Sequence, residues 1–243
     1  GLSLVGSEMC IRDSTMLDKL ESSSKTTIAL TTGLALGGGL ELALACDYRI
    51  GTRRTQFRFP ETSIGIYPGL GGSQRPARIC GMPAARWAVL AGNFMDAQTG
   101  HDLGLLTHLV DVAAVDGCVA TLASTGKPGD KYPGRPTNQE SKIAQFASAF
   151  FSDENMPAIM NGACPEGFDA EDKTVARQLK SLSRTAPIAL SMASGLIDST
   201  ASTSLAVGLQ MELDQLTDIF STKDSLEGLS ALIEGRKPTY TNA

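Results

Sequence analysis

Apolar and polar positions divide the chain into an alternating front half and a helical rear half. Met16–Ser24 predicts a short helix leading to Lys25. Thr26–Thr32 (TTIALTT) is β-branched and apolar, the pattern of a buried strand. Gly33 opens a turn, and Gly37-Gly38-Gly39 leads into Leu40–Cys46, a run of good helix formers. Asp47–Gly51 predicts a strand, and Thr55–Phe59 (TQFRF) alternates as a half-exposed one. Pro60-Glu61 and Gly65–Gly72 (GIYPGLGG) are turn-rich. Helices are predicted over Pro83–Ala91 and Asp96–Gly104, and a strand over Leu106–Val110. This alternation indicates an α/β layered fold. From Thr125 to Asp172 the pattern changes. Gly126–Glu140 (GKPGDKYPGRPTNQE) predicts an exposed loop, followed by helices over Ser141–Ser152 and Asp172–Ser183 around a turn at Cys164–Phe168. Beyond Pro187 the pattern is helical almost to the end, over Ile188–Ser199, Ser204–Phe220 and Ser225–Ile233. No internal repeat is visible in the sequence.

Composition narrows the class. The 243 residues suffice for one large domain, or one domain with a small appendage. Hydrophobic residues make up 42% and charged residues 19%, as in an ordinary soluble globular protein. A net charge of −5 argues against a nucleic-acid-coating role, which needs clustered basic surface. The cysteines Cys10, Cys46, Cys80, Cys118 and Cys164 form no C-x-x-C pair, so neither a zinc site nor a redox motif is indicated. Two histidines, His101 and His108, read as packing or surface residues, and no metal site is expected. The longest uncharged stretch, Thr26–Leu40, has 15 residues, of which four are glycine. A membrane span needs roughly 20 apolar residues, so no span is expected, and with no secretory signal the expected location is the cytoplasm. Gly1–Ser14 (GLSLVGSEMCIRDS) has no clear period and reads as a non-native scar or a disordered terminus.

The candidate chemistry lies in the glycine clusters and two glutamates. A dinucleotide site requires G-x-G-x-x-G, but Leu42 stands where the third glycine should be. A phosphate loop requires G-K-[ST], which is absent. What remains is either a close helix–strand packing turn or a helix start whose bare amides stabilise an oxygen bearing negative charge.

The surrounding blocks resemble the crotonase (enoyl-CoA hydratase/isomerase) family. They are Gly33–Asp47 (GLALGGGLELALACD), Phe57–Glu61 (FRFPE), Gly65–Arg75 (GIYPGLGGSQR), Leu90–Val110, Thr185–Ala189 (TAPIA) and Glu227–Tyr240 (EGLSALIEGRKPTY). Together they cover about residues 25–112 and 180–240, in the family's order and spacing. The resemblance implies a crotonase-like ββα spiral core, incomplete at its start, with a carboxyl-terminal helical region that builds homotrimers or homohexamers. The divisions expected are 1–14 outside the fold, 15–124 partial core, 125–184 insertion, and 185–243 helical region. The implied activity is hydration of 2-enoyl-CoA thioesters in fatty acid or related acyl-CoA metabolism, a lyase reaction. No metal or redox cofactor is implied, since coenzyme A enters with the substrate. Gly38 is implied as an oxyanion-hole amide, Glu41 and Glu61 as catalytic carboxylates, and Gly37 and Gly69 as lining the substrate. Lys237, in GRKPTY, falls where family members place a basic residue near the nucleotide. Arg75 and Arg78 are either phosphate contacts or structural ion pairs.

Two carboxylates suit hydration because water must lose a proton at C3 attack while C2 gains one. In a dry cleft at least one of the pair is held protonated. The expected division of labour is Glu41 as base towards water and Glu61 as donor to C2. Two departures from the family stand out. Nothing between Gly1 and Lys25 matches the A-G-x-D-like turn that supplies the second oxyanion amide, so the 243-residue polypeptide is expected to be poorly active and prone to aggregate. Gly126–Lys180 is longer than the usual link, resembling members fused to 3-hydroxyacyl-CoA dehydrogenases. Rival readings are a Δ3,Δ2-enoyl-CoA isomerase, which generally needs only the glutamate at position 61, and a non-catalytic assembly or RNA-binding protein.

Overall fold

The computed structural model describes residues 2–243, with side-chain environments from residue 8 onward. Helix α1 spans Leu2–Glu21 and is followed by strands β1 (Ile28–Thr31) and β2 (Leu34–Leu36) and helix α2 (Gly38–Ala45). A second pass places β3 (Tyr48–Gly51) and β4 (Gln56–Arg58). A 3₁₀ turn over Glu61–Ile64 precedes α3 (Arg75–Cys80) and α4 (Met82–Leu90). Then come β5 (Met95–Asp96), α5 (Ala97–Leu103), β6 (His108–Leu109) and α6 (Val115–Thr125). The remainder is helical: α7 (Lys142–Phe150), α8 (Met156–Met160), α9 (Lys173–Leu182), α10 (Pro187–Asp198), α11 (Leu205–Asp214), α12 (Leu216–Phe220) and α13 (Lys223–Glu234). Among the described residues no helix is long and apolar enough to cross a membrane.

Two three-stranded sheets carry the spiral. One has the order β1-β3-β6, all parallel, and the other β2-β4-β5, in which β2 and β4 are parallel and β5 antiparallel. Each pass of chain lays one strand on each sheet, so Ile28 pairs with Tyr48 and Leu34 with Gln56. The repeat is structural, because hydrogen-bond register and not residue identity recurs. It agrees with the ββα architecture that the sequence resemblance implied. From β1 to β4 successive strands alternate between the sheets, and β5 then pairs directly with β4 before β6 returns to the first sheet.

Local chemistry sets the boundaries. Asp96 caps α5 by accepting from the Thr99 amide, and Gly104 ends that helix with a left-handed φ of 87°. Asp172 and Thr222 cap α9 and α13 in the same way. Phe57 and Phe59 are fully buried while Gln56, at the start of β4, is exposed, which is the alternation read from TQFRF.

The core is continuous from α2 through α4, α7 and α10. The segment set apart as an insertion contributes to it directly, since Ala147, Phe150 and Phe151 have no exposed surface. Trp87 is likewise core. The Gly126–Glu140 stretch has no regular element, but the expectation of an exposed loop is corrected at Lys131 and Tyr132. Lys131 Nζ donates to Glu21 Oε1 and to the Ala45 carbonyl, both at 2.7 Å, and Tyr132 also bonds Glu21. A loop rich in turn residues can still be pinned by two long side chains, which composition does not reveal.

Other elements differ from the sequence expectation. The helix predicted from Met16 begins at Leu2 and runs unbroken through residue 14, with Ser14 and Leu17 buried. The turn after Gly33 contains β2, a strand too short to show a period and defined by its partner β4. α3 lies outside the predicted helices and carries Pro76 in its first turn, where proline is tolerated. Ser204–Phe220 is divided at Gln215.

Candidate active site

Gly37 turns the chain from β2 into α2 with φ 50° and ψ −125°, a backbone state restricted to glycine. Its amide donates to the Arg58 carbonyl at 3.0 Å. A side chain at Gly37 would overlap Glu61 Oε1, so the missing Cβ lets the Glu61 carboxyl press against the start of α2. Gly38 follows, exposed at the first helical position. Among the described residues no carbonyl accepts from its amide. Such a free N–H at a helix start is suited to a polarised carbonyl oxygen.

One turn further on, Glu41 is buried, 2% exposed. Its Oε1 accepts from the amides of Leu70 and Gly72, each at 2.8 Å. The GIYPGLGG segment therefore curls over α2 and presents backbone donors to this carboxyl. Gly72 is required by proximity: an added Cβ would stand 2.6 Å from Glu41 Oε1 and from Pro68 Cβ. Glu61 opens the 3₁₀ turn, 7% exposed, and its buried Oε2 has no hydrogen-bond partner among the described residues. Two buried carboxyls thus share one region with different support, one held by two amides and one with a bare oxygen.

That difference orders their ionisation. Burial pushes Glu41 up to about 7, opposed by the Leu70 and Gly72 amides and by Arg75. Burial, and after it the negative charge of Glu41, raises Glu61 well above the ordinary carboxyl range. The two amides on Glu41 and the bare Oε2 of Glu61 both favour Glu41 as the carboxyl that ionises more readily. The arrangement sets two buried carboxyls of unequal support beside a free helix-start amide.

A third carboxyl completes the surroundings. Glu212, on α11, has no exposed surface and accepts from the Gly71 amide at 2.6 Å, the Ser73 amide at 3.0 Å and the Ser73 hydroxyl at 2.5 Å. Burial pushes it up to about 8, with the charge of Glu41 as the next cause. The sequence reading did not single it out. A signal was present: Leu209, Glu212, Leu216 and Ile219 form one buried stripe, and a carboxyl in such a stripe needs donors.

The remaining sequence candidates are placed as follows. Gly69 is buried beneath α12, where an added Cβ would stand 2.9 Å from Leu216 Cδ2, so it is Leu70 and Gly72 that face Glu41. Lys237 is exposed in the tail after α13. That tail touches the 3₁₀ turn that carries Glu61, because Tyr240 Oη donates to the Ser63 carbonyl at 2.7 Å. Arg75, 1% exposed, pairs with Glu21 at 2.8 Å and donates to the Leu70 carbonyl at 2.8 Å, a structural role. Arg78 donates to Gln74 and to the Thr203 carbonyl. His108 packs edge-on to Tyr48.

Comparison with known proteins gives one family. The model described as enoyl-CoA hydratase/isomerase matches residues 7–243. The chain is 29% identical over 226 residues to the probable mitochondrial enoyl-CoA hydratase 2 of Arabidopsis thaliana, covering 93% of this chain and 56% of that protein. It is 44% identical over 143 residues to the peroxisomal fatty acid beta-oxidation multifunctional protein MFP2 of the same plant, covering 54% of this chain and 19% of that protein. Among solved structures, an enoyl-CoA hydratase from Rhodobacter sphaeroides superposes with a TM-score of 0.79 at 22% identity, covering 99% of this chain and 70% of that one. At that identity the likeness shows the fold. The chain spans about half the length of curated relatives such as the Arabidopsis hydratase and the mouse methylglutaconyl-CoA hydratase.

Proposed function

The chain belongs to the enoyl-CoA hydratase/isomerase family, and from that premise we propose that the protein carrying it adds water reversibly to 2-enoyl-CoA thioesters. The observation that carries this reading is the unequal pair of buried glutamates. Isomerisation moves one proton and needs one carboxyl; hydration handles two protons at adjacent carbons. Glu41, ionised first, takes the proton of the attacking water as its oxygen bonds C3. Glu61, still protonated, delivers a proton to C2 as the enolate collapses. The C2–C3 π electrons pass through the thioester carbonyl, whose oxygen gains charge, and the free amide of Gly38 is the group suited to receive it. Lys237, in the exposed tail, is a candidate for the nucleotide end of coenzyme A.

An oxyanion donor is typically worth ~10²–10³ in rate. The experiment is crotonyl-CoA hydration, followed by loss of the enoyl thioester's ultraviolet absorbance, for wild type, Glu41→Gln and Glu61→Gln. Hydration lost in both variants is the expected result; hydration unaltered in either sinks the assignment. A Glu41→Gln protein that still converts a 3-enoyl-CoA to the 2-enoyl isomer would favour the isomerase. The two intact glutamates, Glu41 and Glu61, and the net charge of −5 count against an RNA-binding role.

Two coarser features of the assembly follow. Leu226, Leu232 and Ile233 on α13 are exposed apolar residues, which supports association through the carboxyl-terminal helices into a homotrimer or homohexamer. The product of hydration is a 3-hydroxyacyl-CoA, the substrate of a 3-hydroxyacyl-CoA dehydrogenase. Similarity to a protein named as multifunctional in fatty acid beta-oxidation supports a fusion of that kind.

A further inference from the structure

The turn over Leu70–Ser73 serves two carboxyls at once. Its amides alternate: Leu70 and Gly72 donate to Glu41, while Gly71 and Ser73 donate to Glu212. Glu41 therefore does not select its own geometry, because the donors that orient it belong to a segment clamped from the opposite side. The clamp is firm. Glu212 receives a third bond from the Ser73 hydroxyl, which in turn accepts from Gln74 Nε2 at 2.9 Å. Its own carbonyl accepts from Tyr67 Oη at 2.5 Å, so one residue of α11 fastens both ends of the 67–73 segment. Gly71 adopts φ +93°, and Arg75 holds the Leu70 carbonyl, which leaves the turn little freedom to re-form elsewhere.

We propose that Glu212 is a positioning residue for the reaction: through the Leu70–Ser73 turn it holds the amides that orient the Glu41 carboxyl. The proposal rests on the hydratase reading for its kinetic consequence, but its structural content does not. A buried glutamate kept only to stabilise α11 against the core would leave the Leu70 and Gly72 amides, and the base they orient, unaffected.

The test compares Glu212→Gln with wild type by two readouts. The first is the pH dependence of the Leu70 and Gly72 backbone amide NMR shifts, with Glu41→Gln as the control that identifies Glu41 as the titrating group. The second is the division of crotonyl-CoA kinetics between kcat and KM. In wild type both amides should follow Glu41. In Glu212→Gln that titration should lose half or more of its amplitude. The kcat should fall about 10²-fold, with KM changed by less than about threefold, as for a displaced catalytic group. Retention of either the wild-type amide titration or the wild-type kcat by the folded variant overturns the proposal. If wild type does not hydrate crotonyl-CoA but its amides still depend on Glu212, the hydratase reading fails and the positioning role stands. Should Glu212→Gln not fold, Ser73→Ala removes one of the three donors and keeps the carboxyl. It should act in the same direction, with kcat lowered about two- to tenfold. A Ser73→Ala protein matching wild type in both readouts would overturn the idea equally.

Discussion

Replacing Glu41 with glutamine should produce a protein that is less active and, above neutrality, more stable. The carbonyl oxygen of glutamine can keep both 2.8 Å bonds from Leu70 and Gly72, so the change removes ionisation and little else. Loss of a general base typically lowers rate ~10²–10⁴-fold, about 3–5 kcal/mol of barrier. Stability moves the other way. Burial raises Glu41 from 4.5 to about 7, so the folded protein binds that proton more tightly than the unfolded chain does. The carboxyl's contribution is whole below the unfolded value and is lost as pH rises through the folded one. By about pH 8 the ionised, buried carboxylate costs wild type roughly 3 kcal/mol relative to a neutral side chain. A domain of this size gains roughly 2–4 °C per kcal/mol, so the variant should melt up to about 10 °C higher there. The advantage should shrink steadily on acidification and vanish near about pH 4. Thermal melts across that range, beside initial rates of crotonyl-CoA hydration, measure both effects. A variant with wild-type turnover would refute the assignment of the base. One less stable than wild type at about pH 8 would refute the electrostatic argument.

The same reasoning yields three further expectations. Wild-type kcat should rise as Glu41 ionises near about 7 and fall at higher pH as Glu61 loses its proton; in Glu61→Gln the fall at high pH should be absent and kcat lower throughout, as read from pH–rate profiles. Gly37→Ala should cost ~1–3 kcal/mol through its backbone state and displace the Glu61 carboxyl it would overlap, so urea melts and hydration rates should both decline. Arg75→Ala should destabilise by about 1–3 kcal/mol, because the Leu70 carbonyl loses its donor and Glu21 loses its guanidinium partner while keeping Lys131 and Tyr132. Urea denaturation at constant pH measures that loss, and a change under about 1 kcal/mol would show the pair to be expendable.

The elements of this fold were largely legible because their signals are local. Asp96 and Gly104 bound a helix wherever they stand around a helical run, and TQFRF alternates whether or not its partner strand is known. The paired glutamates were legible only through the family resemblance of the blocks GGGLE, FPE and GIYPGLGG. Tertiary structure decided what those residues meet. β2 exists because β4 supplies its register, and Lys131 is held partly buried because Glu21, 110 residues earlier, accepts a hydrogen bond from its ammonium. The unequal support of Glu41 and Glu61 comes from a turn folding back over α2. Glu212 joins the site from 139 residues beyond Ser73, a distance at which no sequence period operates. What the sequence by itself determined is which segments become helix or strand, because propensity and capping act within a few residues, and, through its family resemblance, which carboxyls are candidates for the chemistry. Which amides orient those carboxyls, and in what order they ionise, depends on burial and on donors brought from distant segments, and only packing sets these.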